Sequence, residues 1–349
     1  MPVLRNRMVF EVARGITAFL GVEAGIMRGE APGFAEEEIE TLRRSLALKE
    51  AENQRLREGI SDSASEGTAG DGIQVGGVDP GNVVWIFGVA RVGSTWLASM
   101  MGEAEGHTVW NEPRVGSLFG NFYYGRGAHR DNKHGILGGS EEERSRAIRA
   151  LVLAAAEAKF GSDVDGGYLV IKEPNGSNGA PLLSRALPES RVIFLVRDPR
   201  DVASSGLGAA LEGGWYDKQR KRRGISKQLG ADEIVEARAN RYVEYIGRSR
   251  EAYEAHEGPK TLVRYEDLRS SPLETMQRIY SDLGMPVDGD KVLRAVEKHS
   301  WENIPEGKKG PDKFYRKASP GGWREDLTPE QVQTVERITA SLLEEFYPA

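Results

Sequence analysis

The residues able to do chemistry fall in three cationic, glycine-punctuated segments. The first, Gly88-Val-Ala-Arg-Val-Gly-Ser-Thr95, follows an apolar, β-branched run and precedes the helical pattern Trp96-Leu-Ala-Ser-Met-Met. Strand, glycine turn and helix N-terminus aim successive backbone N–H groups and the positive end of a helix dipole at one point, which makes a phosphate cradle. The run departs from the nucleotide-binding pattern GxxxxGK[ST] because Ser94 stands where the Lys that reaches a β/γ-phosphate belongs. Arg91 supplies the cation of this loop. In the second segment Arg197 ends the apolar run that begins at Arg191, and Ser205 follows one to two turns into the next helical pattern. A guanidinium at a strand end and a hydroxyl near a helix start together bind a second phosphate. The third segment, Arg316-Lys-Ala-Ser-Pro-Gly-Gly-Trp-Arg324, sets paired cations in a glycine-rich loop before the last helical pattern. Each segment taken singly also reads as a turn or as solvated charge. All three in one chain ask for a ligand with phosphates at two places.

Composition removes many other chemistries. The chain has 349 residues and no cysteine, so disulfide frameworks, thiolate zinc sites, iron-sulfur clusters and cysteine nucleophiles are excluded. Its five histidines are scattered without an HExxH pattern, and no metal is expected. Lys and Arg total 47 against 53 Asp and Glu, a net charge of -6 that argues against bulk nucleic-acid binding. That acidity is unevenly spread. Residues 1–80 hold 14 acidic and 9 basic side chains, whereas the remainder hold 39 and 38, and 308–324 carry six basic residues against one acidic.

These segments need rigid elements behind them. Short β-branched runs at Val83–Val89, Tyr168–Ile171, Arg191–Val196 and Thr261–Val263, with Thr108–Trp110 as a fifth, alternate with helical patterns. The expected fold class is therefore α/β, a P-loop-type parallel β-sheet flanked by helices. Ser140 followed by Glu143 is a capping box opening a helix to about Phe160, and helical patterns cover 230–256, 272–284, 289–298 and 328–346. The stretches 115–139 and 206–229, the latter holding the basic run Lys218-Gln-Arg-Lys-Arg-Arg223, read as inserted acceptor-binding loops or lids.

Residues 1–58 read as an α-helical N-terminal extension, 59–82 as a flexible Gly/Ser/Asp-rich linker and 83–349 as the catalytic domain. Within 36–60, Ile39, Leu42, Leu46, Lys49, Asn53, Leu56 and Ile60 recur at three- and four-residue spacings. Two readings fit that seam: a coiled-coil homodimer through 39–60, or a helix packed on its own domain. The apolar stretch within 8–27 is too short to span a bilayer and too interrupted for a signal peptide; it suits weak peripheral membrane contact, and a cytoplasmic location is expected.

In this order the three segments resemble the PAPS-dependent sulfotransferases, whose co-substrate is 3'-phosphoadenosine 5'-phosphosulfate. Gly88-Val-Ala-Arg-Val-Gly-Ser-Thr-Trp96 is similar to the family's 5'-phosphosulfate loop, P-[KR]-S-G-T-T-W, with Ala90 for the proline and Val92 for the first serine. The resemblance makes Arg91, Val92, Gly93, Ser94, Thr95 and Trp96 co-substrate contacts, and matches Arg197 and Ser205 to the 3'-phosphate motif. Arg316, Lys317 and Ala318 with Gly321 and Trp323 resemble the C-terminal R-K-G-x-x-G-D-W-K loop, departing from it at Ala318 and Gly322. Ser300 and Trp301 resemble the segment touching the adenine, and Leu262–Leu268 resembles a hallmark assigned to packing. In the cytosolic branch a His serves as base two residues after a Lys, but Val170-Ile-Lys-Glu-Pro174 keeps Lys172 and has Pro174 at that place. Asn111-Glu-Pro-Arg-Val115 resembles instead the Glu-x-Arg segment of the tyrosylprotein and some bacterial sulfotransferases, which makes Glu112 the expected base and Glu173 the alternative. The resemblance thus implies in-line sulfuryl transfer from PAPS to a hydroxyl, with release of 3',5'-ADP. Arg91 and Lys172 would stabilise the departing charge. A small-molecule, carbohydrate or lipid-linked acceptor fits, and no nucleic acid is implied. Two rival readings stay open on the residues alone, a P-loop kinase or NTPase and a non-catalytic nucleotide-binding scaffold.

Overall fold

The computed structural model describes residues 78–125, 134–164, 166–222, 229–286, 288–310, 313, 315, 317 and 319–348. The expected 1–58 extension, the 36–60 seam with its homodimer, the 8–27 membrane contact and most of the 59–82 linker lie outside these residues.

Five strands form one parallel sheet in the order β2-β3-β1-β4-β5: β1 (Val83–Phe87), β2 (His107–Asn111), β3 (Tyr168–Lys172), β4 (Arg191–Val196) and β5 (Lys260–Arg264). The central strand β1, Val-Val-Trp-Ile-Phe, is buried throughout, as a strand covered on both faces must be. Alternation divides it between two cores. Val84 and Ile86 join one apolar cluster with Leu97, Met101, Ile279 and Tyr280. Val83, Trp85 and Phe87 join the other with Ile148, Val152 and Leu183, and the Trp85 and Phe87 rings stack at 5.5 Å.

Twelve helices are found among the described residues. On the sequence side of the site they are α1 (Ser94–Met101), α2 (Val115–Tyr124), α3 (Glu141–Phe160), α4 (Ala180–Ala186), α5 (Pro199–Ala210) and α6 (Trp215–Arg222). They continue with α7 (Ala231–Ala255), α8 (Tyr265–Ser270), α9 (Pro272–Asp282), α10 (Gly289–Lys298), α11 (Trp323–Asp326) and α12 (Pro329–Phe346). The capping box of α3 forms as its sequence predicts: Glu143 N–H donates to Ser140 Oγ at 3.1 Å and Ser140 N–H to Glu143 Oε2 at 2.9 Å. Arg144, Ile148, Val152 and Ala156, four residues apart, form its buried face.

Two expectations change. The stretch 115–139 is not an open loop at its start, because Val115–Tyr124 is helical and Phe119 is buried, with Phe122, Tyr123 and Tyr124 packed on the same core. Its glycines serve close approach: a Cβ on Gly116 would lie 2.1 Å from the Gly176 carbonyl oxygen, and one on Gly120 would lie 2.8 Å from Gly179 N. Of the stretch 206–229, residues 206–210 and 215–222 are helical, in α5 and α6. Part of its basic run is spent internally, since Arg220 and Lys221 pair with buried Asp217 at 2.7 and 2.9 Å.

In the sheet order, β1 connects outward on one side toward β3 and β2 and on the other toward β4 and β5. Ligands of open α/β sheets settle at such a switch, outside the carboxyl ends of the strands. The segments after β1, β2, β3 and β4 all leave that edge.

Candidate active site

The loop after β1 reaches α1 through Gly93, whose φ is +94°. A Cβ there would stand 2.5 Å from the Tyr265 ring, so only glycine fits. No side chain caps α1, and its first-turn N–H groups at Ser94 and Thr95 have no carbonyl one turn back to receive them. Arg91, also left-handed at φ 79°, donates from Nε to Ser205 Oγ at 2.9 Å. Arg197, at the end of β4, is 9% exposed and donates from Nη1 to the Arg91 carbonyl oxygen at 3.1 Å. Its guanidinium lies 4.3 Å from the centroid of the Tyr265 ring, and its buried Nε has no partner. The two phosphate-type junctions are therefore one hydrogen-bonded unit. Open helix-end amides beside an unsatisfied buried guanidinium N–H are donors that a doubly phosphorylated ligand would satisfy.

The third segment docks on α5. Asp201 accepts the N–H groups of Gly321 at 2.8 Å and Trp323 at 3.1 Å, Ser204 Oγ donates to Asp326 at 2.7 Å, and Arg200 lies 4.4 Å from the Trp323 ring centroid. This brings Lys317, Ser319 and Gly322 to the same cavity that Arg197 and Ser205 line. Lys317 is paired with Glu325 and Asp326, both at 2.9 Å. Arg316 and Ala318 lie outside the described residues.

Trp96 and Trp301 also line that cavity, whose volume is about 350 Å³. Trp96 Nε1 donates to the His299 carbonyl oxygen at 2.7 Å, tying α1 to the turn that carries Trp301. Ser300 is not part of the lining, and Val92 is wholly buried in the core beneath the loop.

The reacting side is built from the ends of β2 and β3. Lys172, 5% exposed, donates to Thr95 Oγ1 at 3.0 Å and to Glu112 Oε1 at 2.9 Å, so it joins the loop after β1 to the carboxylate without itself lining the cavity. Glu112 does line it, and its Oε2 accepts Asn175 Nδ2 at 2.8 Å. Burial pushes the Glu112 carboxyl up. The hydrogen bonds from Lys172 and Asn175 and the charges of Lys172 and Arg114 outweigh that and hold it below the usual carboxylate range. Glu112 and Arg114 both take left-handed backbone, at φ 48° and 63°, each at a cost of about 1–2 kcal/mol. Glu173, by contrast, is fully buried and absent from the lining, and burial raises its carboxyl to about 7.

Several residues of the site went unnoticed in the sequence. Asn175, Asp201, Arg269 and Trp215 are among them, and Trp215 has its ring centroid 5.8 Å from the Arg91 guanidinium. Asn175 was the most findable, as the polar residue following Lys-Glu-Pro at a strand end; Tyr265, within the Leu262–Leu268 segment assigned to packing, packs its ring against Gly93 and also lines the cavity. Among the described residues no group of three or more His, Asp or Glu side chains is placed to hold a metal, and no helix is long and apolar enough to cross a membrane.

A parallel sheet with a helix-end anion cradle at its switch point, joined to a second cation-and-hydroxyl site and faced by a lysine-held carboxylate, defines a P-loop-type group-transfer protein. Residues 84–289 match the profile of the sulfotransferase family, and the chain belongs to that family. It is similar to human (Homo sapiens) carbohydrate sulfotransferase 2, at 27% identity over 193 residues covering 46% of this chain and 35% of the relative. It is also similar to mouse (Mus musculus) carbohydrate sulfotransferase 3, at 35% identity over 112 residues covering 31% and 23%. The match thus spans about a third of these relatives' length or less. Solved structures that align with it include mouse sulfotransferase SULT7A1 complexed with PAP, at 14% identity, TM-score 0.49 and coverage of 77% and 86% of the two chains. Another is sulfotransferase STF9 from Mycobacterium avium, at 15% identity, TM-score 0.46 and 79% of each chain.

Proposed function

We propose that this chain transfers a sulfuryl group from 3'-phosphoadenosine 5'-phosphosulfate to a carbohydrate hydroxyl, with Glu112 as general base. The observation that carries the reading is the Arg91–Ser205 and Arg197–Arg91 linkage, which fuses two phosphate-type sites along one cavity. Bound there, the co-substrate supplies an activated sulfuryl group and a leaving group, 3',5'-ADP, that needs no protonation. The remaining work belongs to the chain. Gly93, Ser94 and Thr95 hold the 5'-phosphate end through backbone amides and hydroxyls. Arg197 and Ser205 hold the 3'-phosphate, with Arg316, Lys317 and Ala318 completing that side, and Trp96 and Trp301 flank the base. Val92 and Ser300 contribute backbone to these segments.

Arg91 and Lys172 stabilise negative charge at the transferring end; preorganised donors of this kind are worth roughly 10²- to 10³-fold in rate. Glu112, ionised at neutral pH because Lys172 and Asn175 hold its carboxyl low, accepts the proton of the attacking hydroxyl. Its place on the cavity wall, against the full burial of Glu173, favours it as the base. The carbohydrate acceptor is supported by the two relatives named as carbohydrate sulfotransferases. Trp215 and Asn175 on the lining offer a ring face and an amide suited to a sugar.

A thermal-shift comparison tests the ligand class. At 100 times its dissociation constant a specific ligand adds about 2.7 kcal/mol. Stabilisation by 3',5'-ADP and not by ATP with Mg²⁺ is expected. The reverse pattern would reassign the protein to nucleoside triphosphate chemistry, and no shift with either would leave a scaffold.

A further inference from the structure

Glu173 is the least exposed carboxylate among the described residues, at 0%, and it sits one residue beyond Lys172 where β3 ends. Its main chain is fixed on two sides. The N–H donates to the Ile86 carbonyl oxygen at 3.0 Å, and its carbonyl oxygen accepts Ser177 Oγ at 2.9 Å and Gly176 N–H at 3.0 Å. Its side chain has little freedom either, because a Cβ on Gly176 would fall 1.7 Å from Glu173 Oε1. From this seat Oε2 reaches across to the neighbouring loop and accepts the Arg114 N–H at 3.0 Å.

That loop is the strained one. Glu112 and Arg114 are left-handed on either side of Pro113, and non-glycine backbone of this kind persists only where its surroundings hold it. Three bonds do so, in register. Glu112 N–H donates to the Lys172 carbonyl oxygen at 2.8 Å, Arg114 N–H to Glu173 Oε2, and Ser117 Oγ to the Asn175 carbonyl oxygen at 2.6 Å. The outer two use main-chain acceptors that come with the strand and its turn. Only the middle one has a side chain as its acceptor, and that side chain is a carboxylate kept out of water, which is unfavourable unless its donors compensate.

We propose that Glu173 is a positioning residue that clamps the left-handed Glu112–Arg114 turn and so aims the Glu112 carboxylate at the cavity. The inference rests on the reading of Glu112 as the base. Glu173 itself never meets the acceptor.

The experiment uses the full chain with Glu173→Gln and Glu173→Ala, each also in a Glu112→Gln background. Crystal structures report the turn directly. In Glu173→Ala the Arg114 φ should leave the left-handed region and the 2.9 Å Lys172–Glu112 contact should break, while Glu173→Gln, which keeps an oxygen for the Arg114 N–H, should preserve both. Turnover is read as release of 3',5'-ADP from PAPS, with a panel of neutral and acidic oligosaccharides and with water alone as acceptors. Misplacing a reacting group by 1 Å costs about 100-fold, so Glu173→Ala should lose kcat by roughly 10- to 100-fold and Glu173→Gln by less than about 3-fold. Affinity for 3',5'-ADP, measured calorimetrically on the same samples, should not change in either. If Glu173→Ala does not fold, Glu173→Asp, shorter by one methylene, carries the same expectation.

An alanine variant with an unchanged turn and unchanged kcat overturns the proposal. So does a glutamine variant that loses as much as alanine, which would make the charge itself the requirement. Loss in Glu173→Ala that persists in full on top of Glu112→Gln also overturns it, since a clamp acting through Glu112 has nothing left to aim. A fully active Glu112→Gln instead removes the base reading, and the crystallographic arm still decides whether Glu173 holds the turn.

Discussion

Replacing Arg197 with Ala tests the fused phosphate sites most sharply, and its size follows from two separate losses. The buried guanidinium has an Nε unsatisfied by protein, and under the proposed function it donates to the 3'-phosphate. Removing one member of a buried, hydrogen-bonded charge pair costs about 2–5 kcal/mol. At 1.4 kcal/mol per tenfold, 3',5'-ADP should bind roughly 30- to 3,000-fold more weakly. The same side chain also donates to the Arg91 carbonyl oxygen at 3.1 Å. Losing that bond, worth about 0.5–1.5 kcal/mol, loosens the 5' loop and should weaken any ligand held there by about 10-fold at most. Isothermal calorimetry with 3',5'-ADP and 5'-AMP on wild type and variant separates the two. The variant should lose far more affinity for 3',5'-ADP than for 5'-AMP, so that most of the advantage of the 3'-phosphate is lost. Equal weakening of both nucleotides would mean that Arg197 only props the loop, and unchanged binding would remove it from the site.

Two further outcomes depend on the carboxylates. In Lys172→Ala the cation and hydrogen bond holding Glu112 low are gone while its burial remains, so its carboxyl rises and the acid limb of kcat/KM should move to higher pH, together with a fall in kcat of roughly 10²- to 10³-fold. A pH profile that keeps its wild-type acid limb would separate Lys172 from Glu112. Glu173 has a folded-state carboxyl raised to about 7 against 4.5 when unperturbed, so the folded chain holds a proton that the unfolded chain has released. Stability is therefore lost as pH rises from about 4.5 to 7, by roughly 3 kcal/mol. Urea titrations should find that decline in wild type and a flatter profile in Glu173→Gln; parallel profiles would contradict it.

What could be read from the sequence divides along physical lines. β1 and β4 were legible because buried parallel strands are continuous apolar runs, and α3 because its capping box is a local signal. Arg91, Arg197 and Ser205 were legible because a cation at a strand end and a hydroxyl at a helix start have short-range meaning. The segment at 115–124 was misread because its glycines look like loop punctuation, whereas Gly116 and Gly120 exist to let α2 touch the 176–179 turn. That contact is long-range and leaves no local trace. Leu262–Leu268 was visible as a packing segment, but its Tyr265 limiting position 93 to glycine and underlying Arg197 is again a long-range contact. The two neighbouring carboxylates at 112 and 173 were both visible, but only burial separates one on the cavity wall from one beneath it.

Transfer of ³⁵S from labelled PAPS to a panel of neutral and acidic oligosaccharides probes the donor and the Glu112 base together. Wild type should label at least one saccharide. Glu112→Gln, binding 3',5'-ADP with unaltered affinity, should label it roughly 10²- to 10⁴-fold more slowly. Label transfer by Glu112→Gln at the wild-type rate would contradict the account, as would a wild-type protein that binds 3',5'-ADP and labels no saccharide.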